Sequence, residues 1–196
     1  HEDGSRKEVR YYRIDKDGGR TCVRETWYYM EGMKHLDGPI VNDKRNGRFE
    51  SYYKSGNLLS TGEFVDGIRN GEAVVYHENG NIHYVGNYEN GIRVGKGKLS
   101  WVDGRELECE FMNNQATGQG RQTYPNGDIY TGKFINYIPH GNGKLEKANG
   151  VVIEGSFVLG NIYTGKSTSI TGAITYYYKG GISQTQQFDK TSNYSP

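Results

Sequence analysis

The chain has few aliphatic side chains, almost no net charge, two cysteines and no long hydrophobic run. Leu, Ile, Val and Phe together make up just under a fifth of the 196 residues, a level at which disorder becomes a concern. Disorder also requires a large net charge, and the formal charge of +1 therefore favours a folded chain. The same charge balance lacks the basic footprint of a nucleic-acid-binding protein. Apolar runs of only three or four residues exclude a transmembrane helix.

Glycine and tyrosine are abundant instead, with 29 Gly and 17 Tyr, about double their ordinary usage. The glycines have no period of three, which excludes collagen, but they recur every 24 or 23 residues. One series comprises Gly56, Gly80, Gly104, Gly127 and Gly150, and the other comprises Gly47, Gly71, Gly95, Gly118 and Gly141. The two series stay nine residues apart, and this constant offset identifies a tandem repeat.

A third column of the repeat is large and apolar. It comprises Ile40, Phe64, Tyr88, Phe111, Phe134 and Phe157. The position two residues earlier is Gly38, Gly62, Gly86, Gly132 or Gly155, with Cys109 in the remaining unit. A glycine inside a strand marks close approach, so each of these glycines is expected to leave room for a ring from the neighbouring strand.

Each unit reads as a β-hairpin of two short strands. Segment 125–127 (PNG) predicts a tight turn of type I′, in which both central residues need positive φ. Residues 128–135 alternate in polarity as a strand does, and 136–140 form a second connection rich in turn formers. The expected fold class is all-β, built from tandem β-hairpin repeats of 23–24 residues that pair edge to edge.

Segments 130–136 (YTGKFIN) and 84–90 (YVGNYEN), each followed by Gly-x-Gly, resemble MORN repeats. The units before residue 76 resemble the variant MORN form of bacterial proteins. This resemblance implies an elongated, twisted, single-layer antiparallel sheet. The sequence departs from the pattern at Cys109 in place of Gly, at Leu159 in place of Asn, and at Glu146-Lys147, where an aromatic residue is expected.

The array is expected over residues 27–165, between a divergent capping segment (1–26) and a divergent hairpin with a tail (166–196). An open sheet edge near 176–181 would allow an edge-to-edge homodimer. Cys22 and Cys109 are about 3.6 units apart, on the order of 35 Å at roughly 10 Å per hairpin. A disulfide needs Cα atoms within ~7 Å, so two free thiols are predicted.

The sequence shows no catalytic motif, and we expect neither enzymatic activity nor a cofactor or metal. Gly-x-Gly at 95–97, 118–120 and 141–143 follows the repeat period, which indicates a structural role, not a phosphate loop. The five histidines have no metal-ligand spacing. Only His77 and His83, on either side of the Asn79-Gly80 turn, are expected to approach each other.

Aromatic residues recur three positions before the turn glycines, and most of the candidate binding residues belong to this column or stand one position before it. The candidate set is Tyr53, Tyr76, His77, Trp101, Tyr124 and Tyr130. Two interpretations stay open: the rings form the core of a thin sheet, or one face carries an exposed aromatic stripe that binds a partner.

The favoured function is a non-catalytic interaction or scaffold module that binds an unidentified protein or peptide along an aromatic, mixed-charge face. One alternative, implied by the family, is binding to anionic phospholipid, which the charge balance disfavours. A second alternative, from the variant repeats, is an antitoxin-like neutralising protein. The compartment stays open; the non-Met first residue His1 and the variant repeats favour an exported, periplasmic or cell-surface bacterial protein.

Overall fold

The computed structural model describes residues 7–186, and these form antiparallel strands without any helix. No segment of this range is therefore a helix that could cross a membrane. The chain divides between Ser100 and Trp101 into two compact units, called unit 1 and unit 2. The predicted all-β fold of tandem antiparallel hairpins is confirmed in each unit.

Unit 1 is a meander in which each strand pairs with its neighbours in sequence. The two-residue strand Lys44–Arg45 lies at a turn, and the strand Lys34–Val41 pairs both with it and with Gly47–Tyr52. The strands are β1 (Lys7–Ile14), β2 (Arg20–Tyr28), β3 (Lys34–Val41), β4 (Lys44–Arg45), β5 (Gly47–Tyr52), β6 (Leu58–Val65), β7 (Ile68–Tyr76), β8 (Ile82–Glu89) and β9 (Ile92–Ser100).

Unit 2 repeats the same meander. Its strands are β10 (Glu106–Met112), β11 (Gln115–Thr123), β12 (Ile129–Ile135), β13 (Ile138–Glu146), β14 (Val152–Val158), β15 (Asn161–Thr168), β16 (Ile174–Tyr178) and β17 (Gly181–Gln186). The sequence boundaries at 26/27 and 165/166 fall inside β2 and β15, so they mark changes of pattern and not the ends of strands.

Two kinds of turn alternate along the chain. The type I′ turn occurs at the second connection of the unit (136–140), and not at 125–127 as predicted. At 125–127 only Gly127 has positive φ (84°), so the type I′ assignment there is wrong. Asn126 instead accepts a hydrogen bond from the backbone N–H of Asp128 at 3.1 Å through its side chain, which stabilises a turn without positive φ at the asparagine. The type I′ geometry occurs at the second connection, where Asn136 (φ 55°) and Tyr137 (φ 68°) both have positive φ.

The turns of successive hairpins are joined by backbone hydrogen bonds. In unit 1 the N–H of Gly91, in a type I′ turn, donates to the carbonyl of Arg69 in the preceding hairpin at 2.8 Å. In unit 2 the N–H of Gly160 donates to the carbonyl of Pro139 at 3.0 Å in the same way. Each of these two type I′ turns thus satisfies a backbone group of the hairpin before it. Leu159, which departs from the expected Asn, still adopts positive φ (50°) in this turn.

The 24-residue units contain one residue more than the 23-residue units, and it is accommodated as a β-bulge. The register shifts where Tyr76 pairs with Ile82, which leaves His83 as the additional residue. The β11–β12 pairing, between 23-residue units, runs from Thr123↔Ile129 to Gly118↔Phe134 without such a shift. The corresponding additional residues of the earlier units are His35 and Leu59.

Every sheet has two different faces because side chains alternate along each strand. The glycine face carries Gly62 and Phe64 in unit 1 and the equivalent Gly132 and Phe134 in unit 2. The polar face carries the residues between them, such as Glu63 and Lys133. In unit 2 the glycine face is the core, since Phe134 and the other phenylalanines there are almost completely buried.

Small residues form a continuous row across the glycine face of each unit. In unit 1 cross-strand pairing joins Gly62, Ala73, Gly86 and Gly97 in that order, and Phe49 pairs with Gly62 at the end of the row. In unit 2 it joins Cys109, Gly120, Gly132, Gly143, Gly155 and Gly165. Cys109, which replaces a glycine of the pattern, is therefore a member of this row.

The predicted space for aromatic rings is present, but the rings come from more than one place. The ring of Phe49 lies on Gly38 of the neighbouring strand, as predicted, where an added Cβ would be 2.4 Å from the ring. At Gly132, however, the ring is that of Tyr130, two residues earlier in the same strand, and it also covers Gly143 across the pair. The reason is that a large side chain has to fold over two adjacent small residues to fill the gap.

The remaining predictions about the chain ends and cysteines have mixed outcomes. Cys22 and Cys109 are both free, as predicted, and both are buried. The open edge predicted near 176–181 is at β17, which begins at Gly181, and not at β16, because β16 pairs with β15 on one side and with β17 on the other. No described strand other than β16 pairs with β17.

We expect Gly132→Ala to destabilise the protein by at least about 2 kcal/mol, because overpacking a tight site displaces backbone. A Cβ at this position would lie 2.6 Å from the Cα of Gly143 and 2.7 Å from the hydroxyl of Tyr130. The matched control is Gly181→Ala, whose Cβ would meet nothing closer than 3.7 Å. Urea unfolding of the two variants measures the difference, and equal midpoints would contradict the tight row.

Both thiols should react slowly in the native protein and rapidly after unfolding. Burial raises the pKa of Cys109 to about 11, which keeps its thiol protonated at neutral pH. Ellman's reagent added without reductant should detect both thiols in guanidinium chloride but only slow release in buffer. Detection of fewer than two thiols after unfolding would reveal a disulfide.

Candidate functional site

The aromatic column predicted as a binding site joins successive hairpins in unit 1. The hydroxyl of Tyr53 donates to the carbonyl of Tyr76 at 2.7 Å, and the hydroxyl of Tyr29 donates to that of Tyr52 at 2.9 Å. Donor and acceptor are 23 residues apart in both cases, so each ring reaches from one unit to the next. These half-buried rings thus use their polar atoms inside the protein, which favours the structural interpretation for this part of the column.

His77 continues the column with a ring nitrogen in place of a hydroxyl. Its Nε2 lies 2.8 Å from the carbonyl oxygen of Ser100, and Nδ1 of His83 lies 3.0 Å from the same oxygen. Both nitrogens must donate, because a carbonyl only accepts. The expected approach of the two histidines is confirmed, with ring centroids 4.5 Å apart. Among residues 7–186 no group of three or more His, Cys, Asp or Glu side chains is arranged to hold a metal ion.

Trp101 and Tyr124 occupy the column in unit 2, where these two rings make no such link. The guanidinium of Arg105 stacks on the half-buried Trp101 ring, 4.8 Å from its centroid. The hydroxyl of Tyr124 donates to the side-chain oxygen of Gln122, two residues earlier, at 3.2 Å. Burial raises the pKa of Tyr124. The hydroxyl of Tyr124 therefore bonds within its own strand, whereas that of Tyr53 bonds to the next hairpin.

Lys147 replaces the next aromatic residue of the column, and an ion pair replaces the aromatic link. Its Nζ lies 2.7 Å from Oδ2 of Asp128, whose Oδ1 accepts the backbone N–H of Ala148 at 2.9 Å. The hydrogen bond from Lys147, followed by that from Ala148, lowers the pKa of Asp128. This departure from the pattern therefore preserves the connection between hairpins.

Tyr130 and Tyr76 are predicted binding residues that do not belong to the column of Tyr53 and His77. Tyr130 is 1 % exposed, so its assignment to a binding surface is wrong. Its ring is required over Gly132 and Gly143, and burial raises its pKa to about 12. Tyr76 is half-buried on the opposite face from His77, and its carbonyl accepts the Tyr53 hydroxyl.

Arginines cover the aromatic residues of the glycine face in unit 1. Arg69 lies between Phe64 and Tyr88, with its guanidinium carbon 5.6 Å and 5.2 Å from their ring centroids. Arg45 and Arg93, at the same repeat position, stack on other rings, and Arg45 is also paired with Glu25. The 24-residue spacing of the three arginines is visible in the sequence, although sequence reasoning missed it. Because the guanidinium groups are engaged with rings and polar side chains, they belong to the packing of the sheet.

The polar face of unit 1 contains a buried carboxylate, that of Asp37. Its oxygens accept hydrogen bonds from Arg24 at 2.8 Å, from Lys34 at 2.8 Å and from Thr26 at 3.0 Å. Burial by itself raises the pKa of this carboxyl, but the three hydrogen bonds outweigh it and lower the pKa to about 2. Asp37 therefore remains ionised and holds β2 and β3 together.

The polar face of unit 2 is open and carries charges of both signs. Along one cross-strand row Glu108 faces Arg121, and further along Lys144 faces Glu154 and Glu154 faces Lys166. The strands β10–β15 contribute five carboxylates and four cations to this face. They are Glu106, Glu108, Glu110, Glu146 and Glu154 with Arg121, Lys133, Lys144 and Lys166.

The geometry defines a repeat protein made of tandem antiparallel hairpins. Four segments, residues 61–82, 84–104, 110–129 and 130–152, match the model of the MORN repeat. These four segments of the chain are MORN repeats, as the resemblance implied. No curated protein matched the chain. MORN repeats commonly take part in protein or membrane-lipid interactions, and they are generally binding modules without enzymatic activity.

Asp37→Asn should cost on the order of 2 kcal/mol at pH 7, since a pKa lowered from 3.8 to about 2 is worth ~1.4 kcal/mol per unit. The folded pKa lies below the unfolded one, so this stability is present above about pH 4 and is lost as the pH falls through about 2. Urea unfolding at several pH values should show the two proteins converging in acid. The control Asp66→Asn, at an exposed turn, should behave as wild type.

Proposed function

We propose that the protein is a non-catalytic module that binds another protein on unit 2, where the open polar face and the aromatic column are the candidate contact surfaces. The observation that carries this proposal is the balance of charges on that face. Five carboxylates interleave with four cations, so the surface attracts a partner of complementary pattern and not a surface of one sign.

The same charge balance disfavours the alternative of anionic phospholipid binding. Polybasic segments gain about 1 kcal/mol per Lys or Arg near an anionic membrane, provided that the cations are unopposed. On the polar face of unit 2, Lys144 is paired with Glu146 at 2.8 Å and Lys166 with Glu154 at 3.8 Å. These carboxylates would be drawn to the membrane together with the cations, and their repulsion would offset the attraction.

Trp101 and Tyr124 are the aromatic residues that we assign to the partner. Large, rigid rings contribute binding energy with little loss of side-chain entropy, and the stacked Arg105 presents a further donor group beside Trp101. The side chains of Tyr53 and His77 each bond to a carbonyl of the next hairpin, so their substitution tests stability as well as binding. Tyr76 contributes only its main-chain carbonyl to this link.

Trp101→Ala and Tyr124→Ala should each reduce partner capture from a native lysate by about tenfold, equal to ~1.4 kcal/mol, without changing the circular dichroism spectrum. Tyr178→Ala is the control, because this ring is exposed but lies outside the column. Loss of folded structure in the column variants would show instead that both rings are only core.

The lipid alternative is tested on the intact chain by co-sedimentation with liposomes. Binding that rises with the anionic lipid fraction and falls with salt would reverse the proposal. Equal and negligible sedimentation with neutral and anionic liposomes is the expected result.

A further inference from the structure

One edge of unit 2 carries exposed apolar side chains that neither the core nor the aromatic column uses. We call them the turn-edge row, and they are Met112, Ile135, Ile138, Val158 and Leu159. They lie at the ends of the strands beside the type I′ turns. Met112 is 60 % exposed and Ile135 is 43 % exposed, although both stand next to almost completely buried phenylalanines.

The turn-edge row follows from the repeat itself. Met112, Ile135 and Val158 each come one residue after the buried phenylalanine of their unit, and alternation turns them to the polar face. Ile138 pairs with Ile135 across the hairpin and lies on the same side. The apolar side chains therefore recur once per hairpin along the edge.

The distance between successive side chains of the turn-edge row determines which secondary structure of a partner can contact all of them. Neighbouring strands lie about 4.8 Å apart, so equivalent residues of successive hairpins are roughly 10 Å apart. In an extended peptide the side chains on one side recur every ~6.7 Å, which does not match the roughly 10 Å spacing of this row. An α-helix rises about 1.5 Å per residue, so every seventh residue recurs at about 10.5 Å on nearly the same side.

The three equivalent positions also determine how long a helix the turn-edge row can contact. The two intervals from Met112 to Val158 span roughly 20 Å, which corresponds to about 14 residues of helix. The right-handed twist of the sheet rotates each successive strand by about 20–25°, so a straight helix leaves the row after a few hairpins. A helix of four turns is therefore sufficient, and a longer one adds little contact.

Charged residues beside the turn-edge row would favour one orientation of a bound helix over the opposite one. Glu110 and Lys133 stand two residues before Met112 and Ile135, at one repeat position but with opposite charges. Their stems lie beside glycines of the neighbouring strand: a Cβ on Gly118 would be 3.6 Å from the Cβ of Glu110, and one on Gly141 3.5 Å from the Cδ of Lys133. A helix that placed a cation near Glu110 and a carboxylate near Lys133 would be favoured in one orientation.

We propose that the turn-edge row binds an amphipathic α-helix of a partner protein, with an apolar residue at every seventh position and a cation and a carboxylate beside successive ones. The inference rests on the proposed protein-binding function and adds the chemistry of the partner. It assigns that helix a contact surface separate from Trp101 and Tyr124.

Two synthetic peptides of about 20 residues test this proposal against the full chain. The probe is an Ala/Glu/Lys helix with Leu at every seventh position and the charges placed as above. The control has the same composition with Leu at every fifth position, which distributes it around the helix. By fluorescence anisotropy the probe should bind at least about tenfold more tightly than the control peptide.

Variants of the chain locate the binding. Ile135→Ser combined with Ile138→Ser should weaken probe binding by about tenfold or more, because two apolar contacts at the centre of the row are lost. Ile170→Ser is the matched control, since Ile170 is 76 % exposed at a turn of the other edge. It should bind the probe as wild type does, and circular dichroism should show all variants folded.

A third variant tests the direction. Glu110→Lys combined with Lys133→Glu should transfer the preference to a probe with its charges exchanged.

Several outcomes would overturn the proposal. They are an absence of probe binding, equal binding of both peptides, or an equal loss in the Ile170→Ser control. Flotation of the chain with neutral phosphatidylcholine vesicles that depends on Ile135 and Ile138 would assign the row to a membrane instead. If capture through Trp101 and Tyr124 persists while the peptide test fails, the helix proposal is wrong and the proposed function stands.

Discussion

Close packing between paired small residues is the constraint on which the rest of each unit depends. A methyl group on Gly132 would collide with the Cα of Gly143, and a methyl group on Gly143 would collide with the ring of Tyr130. Tyr130 can lie over both residues only because neither has a side chain. The ring then contacts Phe134 and Phe157 edge-on, with centroids 5.2 Å and 5.0 Å away, and this cluster is buried within one sheet.

The two units cover their aromatic residues by different means. In unit 1 the residue paired with Phe64 is Arg69, and its guanidinium stacks on two rings. In unit 2 the equivalent residue beside Phe134 is Pro139, so the cover there is entirely apolar. Phe64 is consequently half-buried, whereas Phe134 is fully buried. One backbone design thus supports a partly polar glycine face in one unit and a closed apolar one in the other.

The repeat and its hairpins could be predicted from the sequence because they depend on the local spacing of glycine and apolar residues. The turn types could not, since Asn126-Gly127 is compatible with two geometries and the choice depends on a hydrogen bond from Asp128. Which aromatic residues are fully buried and which are only half-buried could not be predicted from the sequence either. Tyr130 and Tyr124 are both tyrosines of the repeat, and only the pairing shows that Tyr130 covers two glycines.

The β-bulge that contains His83 has a consequence for how arrays of this kind change length. A one-residue insertion in a strand ordinarily exchanges the two faces of everything that follows. Here the additional residue leaves the pairing beside a turn, and the strand resumes with Tyr84 opposite Val75 on the same face. Units of 23 and 24 residues can therefore follow one another in a single gene, and an insertion at this point alters only the local surface.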